Sequence, residues 1–174
     1  MAGTHLFVNT MKCTCWDVDA YNCAGVGTVD IDNGTLVTRG KMAIENESPA
    51  VAGGFEFNVA LPAANATNLW IVDTPEVGST IEMQLMDDPR YFYNKAGKPM
   101  SLRYLVPEVD FIEIPQTAIA NGAVDKFATV TTSGLYAVAN AAPDAGTYFL
   151  IAAEHQIAIG LEVVPTYILQ VKRN

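Results

Sequence analysis

The run Gly27-Thr28-Val29-Asp30-Ile31-Asp32-Asn33-Gly34-Thr35-Leu36-Val37-Thr38-Arg39-Gly40 decides how the chain reads. Asn33-Gly34 suits the positive φ angles of a type I′ turn, so the stretch predicts a β-hairpin folded at that pair. In that register Ile31 faces Leu36 and Val29 faces Thr38. Asp32 and Thr35, with Asp30 and Val37, take the other face, which leaves one side more apolar than the other.

The rest of the chain repeats this style. Phe55, Phe57 and Val59 alternate with polar residues, as do Ile81, Met83 and Leu85, which is strand periodicity. Leu69-Trp70-Ile71-Val72 reads as a buried strand closed by Thr74-Pro75. Further strands are expected at 102–106, 109–114, 127–131, 135–138, 148–152 and 163–171, with Pro107, Pro115 and Pro165 marking edges or strand starts. Residues 45–54, 62–68, 94–98 and 140–146 are loops by composition, and Ile119 to Gly122 reads as one helical turn or a loop. Short Ala runs favour helix by propensity, but Pro62, Pro143 and the neighbouring Asn and Gly residues spoil them.

Short strands at this spacing predict an all-β fold of barrel or sandwich type. We expect two small β subdomains, residues 25–98 and 99–174, behind an irregular N-terminal arm, residues 1–24. The charge pattern fits that division. Residues 1–89 hold 12 acidic and 3 basic side chains, whereas residues 90–174 hold 7 of each. A net charge of −9 argues against nucleic acid as a partner, because phosphates demand clustered Lys and Arg. No apolar run reaches the length of a membrane span, and Met1 to Phe7 lacks a basic region followed by an apolar stretch. Synthesis in a cytoplasm without export is the expectation.

Chemistry is sparse. The chain has two histidines, His5 and His155, and no Gly-x-Ser-x-Gly elbow, so no hydrolase triad is expected. His5 falls in the arm, and His155, in an expected hairpin between apolar strands, is expected to cap a turn or face solvent. Asp87-Asp88, Asp17 and Asp19 read as turn formers or solvated charges rather than a glycosidase pair. Asp30-Ile31-Asp32-Asn33-Gly34 resembles a calcium loop only in part. Its glycine arrives one residue early, and Gly40 stands where the closing glutamate belongs. Gly25-Val26-Gly27 leads into a strand, whereas phosphate loops lead into a helix. Cys13, Cys15 and Cys23 match no zinc spacing and are expected as reduced thiols. No catalytic residue, cofactor or metal is therefore expected.

Two segments are candidates for partner contact. Leu6, Phe7, Trp16 and Tyr21 place large apolar side chains in the arm, where they serve as interface anchors or fold back over the chain's own barrel. Arg90, Tyr91, Tyr93, Lys95 and Lys98 combine aromatics with positive charge, a mixture that binds bases or sugars but also builds ordinary edge strands. If functional, this patch is expected to meet an acidic surface.

Several of these segments resemble the small structural proteins that decorate or cement the capsids of tailed bacteriophages. The resemblance lies in Asp32-Asn33-Gly34-Thr35-Leu36-Val37, in Leu69 to Val77, in Tyr91 to Lys98 before Arg103-Tyr104-Leu105, and in Pro165 to Val171. It covers much of residues 27–171. The cysteine-bearing arm has no counterpart in it. The resemblance implies a non-enzymatic virion protein, made in the host cytoplasm, that binds the major capsid protein from outside in many copies, as a homo-oligomer or lattice. A tail or fibre-base protein and a carbohydrate-binding β-module are the alternatives.

Overall fold

The computed structural model describes residues 5–43, 56–76 and 88–174. The expected loop over 45–54, Phe55, the strand over 81–86 and Asp87 lie outside the described residues. The chain is all-β, as expected. Its strands are β1 (Asn9–Lys12), β2 (Asn22–Gly27), β3 (Leu36–Met42), β4 (Glu56–Ala60), β5 (Trp70–Val72), β6 (Pro99–Tyr104), β7 (Phe111–Pro115), β8 (Phe127–Val130), β9 (Tyr136–Ala139), β10 (Tyr148–Ile159) and β11 (Glu162–Arg173).

They form two sheets. One is a closed barrel in the order β2-β4-β3-β5-β6, and the other is a six-stranded sheet in the order β1-β7-β11-β10-β8-β9. Strand alternation separates two cores. Val37, Trp70, Val72, Met100 and Leu102 cluster inside the barrel. Leu36 and Ile71, their neighbours in sequence, point the other way and pack with Ile112, Ile114, Phe149, Ile151 and Leu169 of the sheet. Both faces of β5 are thus buried, which explains why Trp70-Ile71-Val72 is apolar without alternation.

The opening hairpin is not formed. Between β2 and β3 stands β4, parallel to β2 and antiparallel to β3. Ile31 makes an isolated bridge with Asn94, and Leu36 pairs with Ile71. Among residues 32–35 only Gly34 has positive φ, +86°, and Thr35 N–H reaches Asp32 O at 3.3 Å. Positive φ at the third turn position alone belongs to a type II turn, which does not match the twist of a tight hairpin. Asn33 explains the difference. It is buried, its Nδ2 donates to Thr74 O at 2.8 Å, and its Oδ1 accepts from Thr74 N at 3.1 Å and Asn94 Nδ2 at 3.0 Å. These bonds tie the turn to distant segments rather than to its own flanks.

The expected division of the chain is corrected in two places. β6 lies beyond residue 98 but closes the barrel between β2 and β5. β1 lies within the expected arm but pairs antiparallel with β7 in the second sheet. The arm does not stand apart from the body: Phe7, Val8, Cys13 and Cys15 are buried. Asp110, fully buried, accepts from Thr14 N at 2.7 Å, Thr14 Oγ1 at 2.6 Å and Val106 N at 2.7 Å. A buried carboxylate is tolerable only with such donors, so residues 13–16 are bound into the fold.

β10 and β11 are the longest strands and overreach their neighbours. β8 pairs only with Tyr148–Leu150 of β10, and β7 only with Thr166–Gln170 of β11. From Glu154 to Pro165 the two strands pair with each other as a ribbon. No described helix is long and apolar enough to cross a membrane.

Candidate functional site

The ribbon turns at Gly160-Leu161, between the paired residues Ile159 and Glu162. Gly160 has φ +59° and Leu161 does not have positive φ, which is the type II′ pattern with glycine first. A tight, primed hairpin turn therefore stands here, and none at Asn33-Gly34. Burial splits the ribbon by face. Ile159 is buried, with Ile157 and Val164 half-buried beside it. The opposite face exposes Ala158, Pro165 and Val163 (62% exposed), and Leu161 at the tip is fully exposed.

Two polar clusters hold this projection. At the tip, Arg90 Nη1 donates to Glu162 Oε2 at 2.6 Å, while its Nε and Nη2 bind both oxygens of Asp88 at 2.6–3.0 Å. The Arg90 guanidinium holds the Asp88 carboxyl below the usual carboxylate range. Asp88 also accepts from Arg90 N at 2.9 Å, capping the 3-10 turn Pro89–Tyr91. At the base, Glu113 Oε1 accepts from Thr166 Oγ1 at 2.6 Å and from His155 Nδ1 at 2.7 Å, and Oε2 accepts from Asn9 Nδ2 at 3.3 Å. One side chain from each of β1, β7, β10 and β11 meets there. An open cleft of about 660 Å³ lies alongside, lined by Gln116, Glu154, His155, Gln156 and Pro165.

The base cluster has the residue types of a hydrolase triad but not its order. A nucleophilic hydroxyl needs the imidazole between itself and the carboxylate. Here the carboxylate stands between hydroxyl and imidazole, and Thr166 is fully buried. The Thr166 proton is directed to Glu113, so no nucleophile is generated. The arrangement fastens four strands together at the root of the ribbon.

The nine expected contact residues do not converge on one patch. Phe7 is buried, Leu6 packs on the main core, and Tyr21 packs there with its ring 5.8 Å from that of Tyr104. For Leu6, Phe7 and Tyr21 the arm folds back over its own body. Trp16 is 56% exposed, but it is fixed: Nε1 donates to Thr10 O at 2.9 Å and the Arg103 guanidinium lies 4.2 Å over the ring. Arg103 is held in turn by Asp73 Oδ2 at 2.5 Å and Asn22 Oδ1 at 3.0 Å.

Arg90 serves the ribbon tip. Tyr91 is half-buried, and Tyr93, also half-buried, stacks on His5 at 5.0 Å between centroids. His5 is not loose, because Nδ1 bonds Asp32 Oδ1 at 2.7 Å. Lys95 and Lys98 are exposed in the turn before β6. Five residue steps of extended strand lead from Lys98 to Arg103, a span of ~17 Å. Trp16 and the lysines therefore belong to opposite ends of β6. Trp70, in the stretch expected as a buried strand, is 7% exposed and faces the barrel interior.

The hairpin expected around His155 between apolar strands is present, but the sequence pattern places its strands at 148–152 and 163–171, whereas the pairing runs on to Ile159 and Glu162. The available signal was Gly160-Leu161 between Ile157, Ile159 and Val163, Val164. The three cysteines are free thiols. Cys13 Sγ donates to Phe111 O at 3.2 Å, and burial pushes the Cys23 thiol up. Among the described residues no group of three or more His, Cys, Asp or Glu is placed to hold a metal ion. Comparison with family models, curated proteins and solved structures finds no match for this chain.

Proposed function

We propose that this chain is a non-enzymatic structural protein of a tailed-bacteriophage virion, which binds the outer face of the major capsid protein lattice in many copies and stabilises the shell. The observation that carries the proposal is the ribbon: a braced two-stranded projection with Leu161 and Val163 exposed on a compact all-β body. A cement protein must fold alone, stay soluble, and then bury surface on a lattice. The acidic excess of residues 1–89 supports solubility, and a braced projection loses little conformational entropy on docking. Many modest contacts on one lattice add through avidity.

The test is electron microscopy of virions labelled for this protein, together with co-sedimentation of the purified protein with emptied capsids. Label over the capsid surface and saturable co-sedimentation are expected. Leu161→Asp with Val163→Asp should abolish co-sedimentation without lowering the melting temperature, since both side chains are already in water. Label confined to tails would overturn the capsid assignment in favour of a tail component.

A further inference from the structure

The turn at Gly160-Leu161 determines which backbone groups of β10 face outward. In a two-residue hairpin the closing pair, Ile159 and Glu162, is hydrogen-bonded, and the classes then alternate. Ile157–Val164 and His155–Thr166 belong to the bonded class. Glu154, Gln156 and Ala158 belong to the other, so their N–H and C=O groups point away from β11. Pro165 agrees with this assignment: it stands opposite Gln156, where β10 requires no N–H from it. On the outer side of β10, bonding to the body ends with Ile151 N–Lys126 O at 2.9 Å and Asp125 N–Ile151 O at 3.0 Å. Past Ile151 no described strand pairs with this edge, and Glu154, Gln156 and Ala158 are exposed.

We propose that this edge pairs with the same edge of a second copy of the chain, antiparallel about a two-fold axis at Gln156. The edge is self-complementary in the register centred on Gln156. Centred on Gln156, Glu154 faces the partner's Ala158, and Glu154, Gln156 and Ala158 all direct their outward groups at a partner. Centred on Glu154, two carboxylates would oppose each other, and centred on His155, two imidazoles would. A two-fold interface of this kind is closed, so it yields a dimer and not a fibre. It also turns a two-stranded ribbon, marginal by itself, into four strands, and brings the exposed Ala158, Val163 and Pro165 of both copies onto one surface. This dimer does not depend on the capsid assignment, since it is measured without capsids.

The test is sedimentation equilibrium of the full chain over a range of concentrations, with three proteins. The unaltered chain should dimerise. Ala158→Glu sets a carboxylate against the partner's Glu154 twice per dimer and should weaken dimerisation about tenfold. Ala158→Lys supplies the opposite charge at the same place and should leave it equal or tighter. Melting curves verify that both variants fold. A monomeric unaltered chain at every concentration, or equal effects of Glu and Lys, would overturn the proposal.

Discussion

Tyr136 Oη donates to Gly34 O at 2.9 Å, joining the barrel's first turn to β9 of the other sheet. The residues are far apart in sequence, and the ring packs edge-on to Phe149 at 5.7 Å in the core between the sheets. Tyr136→Phe keeps the ring and removes the donor. It should cost about 1–2 kcal/mol, because a covered carbonyl loses its partner. For a chain of this size that lowers the melting temperature by roughly 3–6 °C.

The same phenol predicts an alkaline limit. Burial pushes its pKa up from the ordinary value of 10.0. Above that ordinary value the unfolded chain releases the proton while the folded chain keeps it. Stability contributed by neutral Tyr136 is therefore present below pH 10 and is lost as pH rises beyond it. Denaturant midpoints between pH 9 and 11 should fall more steeply for the unaltered protein than for Tyr136→Phe. Parallel slopes would place the alkaline loss elsewhere.

Gly34→Val should be strongly destabilising. The φ of +86° excludes a β-branched residue, and an added Cβ would meet Leu6 at 3.2 Å. Gly34→Ala, smaller and unbranched, should cost less. Thermal melts of the pair should rank them in that order, and an unchanged melting temperature for Val would contradict the left-handed turn.

Arg90→Ala should release the ribbon without unfolding the body. Glu162 is well exposed, so the ion pair contributes only about 0–1 kcal/mol to global stability. Amide exchange over 157–164 should nevertheless quicken while exchange in β7 stays unchanged. Acid should have a related effect. The Asp88 carboxyl is depressed by Arg90, so its contribution is present above the ordinary value of 3.8 and is lost only as pH falls through the lower folded value. Titration of Asp88 followed by NMR should show that depression vanish in Arg90→Ala.

Deletion of residues 1–24 should abolish the cooperative melt. It removes β1, the start of β2 and the buried Phe7, Val8, Cys13 and Cys15. It also strips Asp110 of both Thr14 donors and Glu113 of Asn9. Retention of a sharp transition would mean that the segment is an appendage after all.

Much of the fold was legible because local patterns carry it. The apolar runs at 69–72, 127–131 and 163–171 lie on strands, and the punctuation by Gly and Pro excludes long helices. The candidate site was far less legible. Trp16 and Lys98 look alike as exposed partner residues in the sequence, yet their places at opposite ends of β6 depend on pairing. His155 reads as a solvated turn residue, and only the meeting of β7, β10 and β11 gives it Glu113 as a partner.

By itself, the sequence determined the all-β class, the acidic first half and the preference of Gly34 and Gly160 for left-handed backbone, since these follow from side-chain period, charge and the missing Cβ. Tertiary structure decided what the strands pair with. Asn33-Gly34 has the composition of a hairpin, but buried bonds from Asn33 to Thr74 and Asn94 turn it into a link between remote segments. Gly160-Leu161 is a hairpin, because its flanking strands pair with each other from Glu154 to Pro165, where no other described strand pairs with them. A turn residue sets its own φ; its partner strand is set by the surface buried on both sides, which no local pattern contains.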